Sequence, residues 1–275
     1  MLSLEGARRP ANPGAARRAV GFIRPYLVAL GGALYLFTIG WLRPRHRAAL
    51  VDLSGHFGYR YDARISGDLP RITSADVAPD APAIEIREIE AADGNVTEGE
   101  LVTICAMTRS LQPAGIFEFG TFDGRTTLNL ALNSPDEARV YTIDLPAMAI
   151  GSTTASIHPH EVQFADKAQS GRRFRGTPFE KKITQLYGDS GAFDFSPYYD
   201  SIDMVFVDAS HTYEHVINDS LHALRMLRCG HGLIVWHDYS RWDGVTGALN
   251  DLHRLHPSFK DLRWVAGMTL AILRI

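Results

Sequence analysis

Acidic and histidine side chains stand at the ends of five short apolar runs in this chain: Glu118 with Gly120, then Asp144, Asp189, Asp208 with His211, and His237 with Asp238. Carboxylates and imidazoles are the groups that accept hydrogen bonds from ribose, ligate divalent cations and move protons near neutral pH. One such ending is ordinary loop polarity, but five in succession point to a site. The runs are GIFEFG (115–120), VYTIDLP (140–146), KITQLYGDS (182–190), SIDMVFVDASH (201–211) and GLIVWHDY (232–239).

The first run turns into Gly120-Thr-Phe-Asp-Gly124-Arg-Thr126. A dinucleotide fingerprint, G-x-G-x-x-G, would rest a pyrophosphate on a helix N-terminus. Here the two glycines are four apart, Phe122 adds bulk, and Asp123 places a negative charge near that terminus. The pattern therefore disfavours a phosphate and admits a cationic or zwitterionic ligand. Asp144 follows Gly120 by 24 residues at the end of the next run, where a carboxylate can accept both ribose hydroxyls. Ribose plus a cation, without phosphate, describes S-adenosylmethionine (SAM).

The elements that must position these groups alternate. Residues 93–111 have a helical period, with Leu101, Ile104, Cys105 and Thr108 on one side, and Thr97 with Glu100 reads as a capping box at its start. The segment after Gly120 reads as a turn into a helix, and 213–230 as an amphipathic helix closed by glycine. Apolar strands alternating with helices predict an α/β fold with a parallel sheet covered on both faces. The C-terminal LRWVAGMTLAILRI, with Gly267 between two apolar runs, predicts a β-hairpin at or near one edge.

The pattern E-x-G-x-x-x-G-x-T, followed by an acid ending the second strand, resembles class I SAM-dependent methyltransferases. The stretch VDASHTYEHVINDSLHALRMLRCGHGLIVWHDY is similar to the macrocin O-methyltransferase-like subfamily. The resemblance covers about residues 94–275 and leaves 1–93 unexplained. It implies a Rossmann-like, mostly parallel seven-stranded sheet with a C-terminal antiparallel hairpin, and methyl transfer to a hydroxyl of a small-molecule acceptor, glycosylated or lipid-linked. N-methylation, another reaction on the same fold, or a membrane-associated cofactor-binding scaffold without turnover are the alternatives. Glu118, Gly120, Thr121, Gly124 and Thr126 would surround the methionine and ribose portions, Asp144 the ribose diol, and Asp189 with Ser190 the adenine. Asp208 would face the reaction centre, and His211 would be the base. Some relatives also bind a divalent cation, Mg or Mn, at positions matching Asp208, His237 and Asp238. Imidazole suits Mn, Fe or Zn better than Mg, so His237 is either a ligand of a different metal or a pocket wall.

An insert at 147–181 is long for a connection and reads as a lid. It carries His158, His160 and the basic run Arg172-Arg-Phe-Arg175, which is either a seat for an anionic acceptor or a solvated face. The domain boundary is expected at 93/94.

Composition bounds the rest. The 275 residues are 45% hydrophobic and 21% charged, which is ordinary globular make-up. Cys105 and Cys229 lack metal-ligand spacing and fit inert thiols in a reducing, cytoplasmic compartment. Net charge is −3, yet residues 1–50 hold eight arginines against Glu5 alone, leaving −10 on the remainder. Such a body is no nucleic-acid binder. Within the basic head, Tyr26–Leu42 is an uncharged run of seventeen residues, the lower limit for a bilayer span. It is expected either to associate with a membrane or to pack as a buried or homo-oligomer-forming helix.

Overall fold

Successive side chains of the central strands enter two separate cores. In the computed structural model, which describes residues 13–43, 46, 50, 65–80, 83–92, 94–154, 161, 164 and 169–275, strand β2 (Gly115–Phe119) sends Phe117 and Phe119 to one face and Ile116 to the other. The same alternation sorts Val205 and Val207 from Met204 and Phe206 in β5 (Met204–Val207), and Ile234 and Trp236 from Leu233 and Val235 in β6 (Leu233–Trp236). Continuous apolar runs are needed because both faces are covered.

Among the described residues the sheet has eight strands, completed by β1 (Arg71–Ile72), β3 (Arg139–Asp144), β4 (Ile183–Tyr187), β7 (Arg263–Val265) and β8 (Ala271–Arg274). Their order is β1-β7-β8-β6-β5-β2-β3-β4, and only β8 runs antiparallel to its neighbours. This is the expected Rossmann-like architecture with its C-terminal hairpin; the two-residue β1 adds an eighth strand beyond β7.

Two helices, α3 (Glu98–Leu111) and α4 (Arg125–Asn133), pack on one face, and α5 (Tyr213–Met226) and α6 (Asp243–Leu255) on the other. The capping box is present at the start of α3: Glu100 N donates to Thr97 Oγ1, and Thr97 N donates to Glu100 Oε2 at 2.9 Å. Leu101, Ile104, Cys105 and Thr108 are all buried.

The chain divides into two compact units, Met1–Tyr59 and Arg60–Ile275. The first holds α1 (Pro13–Thr38), with Pro25 inside it, and a 3-10 turn at Gly40–Leu42. No helix among the described residues is long and apolar enough to cross a membrane.

Residues 65–80 and 83–92 pack within the second unit. Leu69 and Val77 are buried, Leu69 N donates to the Tyr239 hydroxyl at 3.0 Å, and Arg274 Nη2 donates to Val77 O at 3.2 Å. A one-turn helix, α2 (Ser74–Val77), follows β1. Residues 83–92 then form an extended strap along α4. Asn129 brackets Arg87, accepting its N–H and donating to its carbonyl at 2.9 Å each, and Asn133 brackets Glu85 at 3.1 and 2.8 Å. The spacing is physical: four residues of helix rise about 6 Å, close to two residues of extended chain. Arg125, buried beneath, donates to the carbonyls of Glu88, Ile89 and Val96.

Replacing Asn129 and Asn133 together by alanine is expected to lower unfolding free energy by about 2–4 kcal/mol, four hydrogen bonds at roughly 1 kcal/mol each. The released strap should be cut by trypsin after Arg87 under conditions that leave the native chain intact. Equal resistance of both proteins would show that the amide ladder does not hold it.

Candidate functional site

Strand order reverses between β2 and β5, which opens a crevice at their carboxyl ends, the usual ligand position in such sheets. Gly120 lies there with φ +93°, and a Cβ on it would stand 2.0 Å from the Asp208 carbonyl oxygen. No other residue fits where the two strand ends meet. Gly124, φ +86°, is the N-cap of α4, and its Cβ would stand 2.7 Å from Phe174. Between them Thr121 is buried, its hydroxyl 2.7 Å from Thr142 Oγ1 and 2.8 Å from Gln185 Nε2. Thr126 is half-buried in the first turn of α4.

Asp123 does not play the part read from the sequence. Its carboxylate is buried, accepts Arg173 Nε at 2.6 Å, Asn95 Nδ2 at 3.1 Å and Arg125 N at 3.1 Å, and has Arg172 at 3.7 Å. Its charge is neutralised within the protein, so repulsion by Asp123 does not discriminate against a phosphate. The basic run is equally engaged: Arg173 also meets Glu88 at 3.1 Å and Arg175 meets Glu180 at 3.1 Å.

The acids at the strand ends have different environments. Glu118 is fully buried and accepts from Thr127 and Thr142, the latter at 2.6 Å, while its Oε1 has no hydrogen-bond partner. Burial pushes its carboxyl up to about 8 against the pull of those hydroxyls, and the charges of Asp208 and Asp144 add to the rise. Asp144 closes β3 and is 8% exposed. Asp189 follows β4. Its Oδ2 accepts from the Thr154 N–H and hydroxyl at 2.6 and 2.8 Å, and its Oδ1 from Gly191 N at 3.0 Å. Burial would raise Asp189, but these bonds hold it below its usual value. Ser190 is half-buried beside it, its carbonyl accepting Asn218 Nδ2 at 3.1 Å.

At the ends of β5 and β6, acids and imidazoles alternate in one buried chain. His211 is clamped between Glu161 Oε1, 2.5 Å from Nδ1, and Asp238 Oδ2, 2.8 Å from Nε2, and its ring stacks on Trp242 at 4.7 Å. His237 has Asp208 at 3.0 Å and Asp238 at 3.3 Å from Nδ1, and Glu100 at 3.3 Å from Nε2. Glu100 in turn accepts the Thr269 N–H and hydroxyl at 2.7 Å each. Burial alone would push His211 down, yet hydrogen bonds and attraction from Asp238 and Glu161 bring it up to about 10. The same balance, set by Asp208 and Asp238, lifts His237 well above its usual value. Asp238, whose burial alone would raise it, is held well below the carboxylate range by the two histidines. Glu100 is likewise held low by His237 and the N–H groups of Thr269 and Thr97.

Among the described residues, one ligand atom each of Asp208, His211 and Asp238 lie within 4.8 Å of one another. The expected trio had His237 where His211 stands; His237 instead bridges Asp208 to Glu100. Asp238 has φ +62°, uncommon for a non-glycine residue, and its buried Oδ1 lacks a hydrogen bond, with Arg241 Nε 3.9 Å away. Two carboxylates, one with an unused oxygen, and an imidazole fit a divalent cation. His158 and His160 lie outside the described residues. Sequence reading missed two members. Glu161 sits in the insert with no motif around it, and Glu100 was legible only as a helix cap.

Residues 117–239, less than half of the chain, match the family model of a methyltransferase domain. No curated protein matches the chain. Among solved structures, the O-methyltransferase TomG of Streptomyces achromogenes, in complex with SAM and involved in tomaymycin synthesis, is 18% identical over 74% of this chain and 96% of its own, with a TM-score of 0.48. An O-methyltransferase of Bacillus cereus in complex with S-adenosylhomocysteine (SAH) is 13% identical over 74% and 90%, with a TM-score of 0.46. An SAH-bound methyltransferase of Podospora anserina is 15% identical over 73% and 92%, also at 0.46.

A carboxyl whose folded pKa is raised contributes most to stability below the ordinary carboxylate range, and that contribution is lost as pH climbs through the folded value. Glu118 should therefore make the protein less stable as pH rises from about 5 to about 9. The histidines, also raised, act in the same direction above their ordinary value, so the comparison must be with Glu118→Gln. That variant is expected to lose less melting temperature across the interval, and parallel profiles would show that Glu118 is already ionised when buried.

Proposed function

We propose that this protein is a SAM-dependent methyltransferase acting on a hydroxyl of a small-molecule acceptor. The observation that carries the reading is the crevice at Gly120, with Asp144 on one side and the acid–imidazole chain of Asp208, His211 and Asp238 on the other, inside the segment that matches a methyltransferase domain. The donor set suits the ligand. Carboxylates at the ends of β3 and β4 accept hydrogen bonds from a ribose diol and an adenine amino group, and acids lining the remainder favour a cationic sulfonium. On this reading Asp144 holds the diol, Asp189 and Ser190 lie by the adenine, and Glu118, Gly120, Thr121, Gly124 and Thr126 shape the turn around the rest.

The acceptor oxygen attacks the methyl carbon in line, the carbon–sulfur bond breaks towards SAH, and the hydroxyl proton must leave. The methyl group arrives already activated, so the protein aligns the acceptor, excludes water and takes the proton. His211 is the group placed to take it, with Glu161 fixing its ring through Nδ1. A divalent cation held by Asp208 and Asp238 would draw Asp238 off His211 Nε2, neutralise the carboxylate charge that keeps His211 protonated and acidify the hydroxyl, which would leave Nε2 as the nitrogen that takes the proton. His237, held from behind by Glu100, orients Asp208.

Titration of the full chain with SAH should give saturable one-to-one binding, weakened at least about tenfold in Asp144→Ala, the loss of one charge-assisted hydrogen bond. Absence of binding would overturn the assignment. In methyl-transfer assays against hydroxylated small molecules, His211→Ala should lower kcat by about 10²–10⁴-fold with SAH affinity unchanged. An unaltered rate would remove His211 from the proton-transfer role.

A further inference from the structure

We propose that α1 and the turn after it form an interfacial anchor that lies on an anionic lipid surface. In the helix, Ile23, Leu27, Leu30, Leu34 and Phe37 recur at helical spacing on one stripe, and all are exposed, from 45% to 62%. Just beyond, Ile39, Trp41 and Leu42 are exposed at 51–60%. The opposite side of the helix end is already engaged. Tyr35 packs edge-on against His46 at 5.4 Å, Leu36 is half-buried and Gly40 buried. The apolar stripe is the part of the open surface that runs unbroken into this engaged end; nearer the helix start the other side is exposed as well, Val28 at 69%.

Charge selects the occupant. From Gly6 to Val51 the chain has eight arginines and no acid. A second copy laid along the strip would bring two such segments together, whereas anionic headgroups complement them. Arg24 and Arg43 flank the strip and are both exposed. The Trp41 indole N–H donates to Thr38 O at 3.0 Å while its ring faces outward, the disposition of an aromatic at headgroup depth. No described helix is long and apolar enough to cross a bilayer, so the geometry is that of a helix lying in the interface plane, apolar side down and cations among the headgroups. This inference stands independently of the proposed chemistry.

The test is co-sedimentation of the full chain with vesicles of phosphatidylcholine alone or with about 30% phosphatidylglycerol. At least tenfold stronger partitioning into the anionic vesicles is expected, most of it lost at about 1 M salt, where screening is short-ranged. Leu27→Glu with Leu34→Glu should abolish binding to both vesicle types, and Arg24→Gln with Arg43→Gln should reduce only the anionic preference. Unchanged melting of the second unit would show that neither pair acts by unfolding. Equal binding to both vesicles, or none to either, overturns the proposal. So does lipid-free self-association in sedimentation equilibrium that the leucine pair abolishes, because the occupant is then a second copy.

Discussion

Charges buried without partners are prohibitively unfavourable, and this protein buries three carboxylates and an imidazole, and half-buries a fourth carboxylate and a second imidazole, in one connected cluster. The six members come from four places: Glu100 from the start of α3, Glu161 from the insert, Asp208 and His211 after β5, His237 and Asp238 after β6. Thr269, just before β8, closes the chain onto Glu100. The need to satisfy these groups therefore ties the insert, a helix cap and three strands together, and it fixes which atoms face the crevice. Asp238 tolerates its left-handed backbone under that requirement. The four acids outnumber the two imidazoles and the Arg241 guanidinium 3.9 Å from Asp238, which is the electrostatic argument for the proposed cation.

A second set of contacts holds the other wall. Arg173 belongs to the run that the sequence offers as a seat for an anionic acceptor or a solvated face, but it faces inward, as Arg125 does. Arg125 ties 88–96 to α4, and Arg173 ties the insert to Asp123 and to Glu88 in the strap. Gly171 N donates to Phe122 O and Arg173 N to Asp123 O, so the insert is zipped by its backbone to the turn after β2. The turn's shape is thus set from above by the insert as well as from below by Gly120.

What was legible in the sequence was what is written locally. The strands announced themselves by continuous apolar runs, α3 by its capping box, the hairpin by Gly267, and the crevice by glycines whose left-handed or crowded backbone no other residue tolerates. Asp144, Asp208, His211 and Asp238 were found because they end strands. The illegible part was carried by contacts between residues far apart in the chain. Asp123 is neutralised by Arg173, fifty positions on; the strap answers to Asn129 and Asn133, which read as ordinary helix polarity; and Glu161 has meaning only once it drops onto His211. Residues 65–80 are a further case, because they have linker-like composition and owe their order to Tyr239, Arg274 and β7.

That dependence sets a timetable for the chain's synthesis. The strap is made before the α4 residues that bracket it, β1 pairs with Arg263–Val265, and Val77 answers to Arg274, 197 positions further on. The β1–Val77 segment therefore stays undocked until β7 and β8 have been made. Every nascent chain passes through an interval in which that segment is open to chaperones and proteases, and the sheet edge closes only after β7 and β8 have emerged.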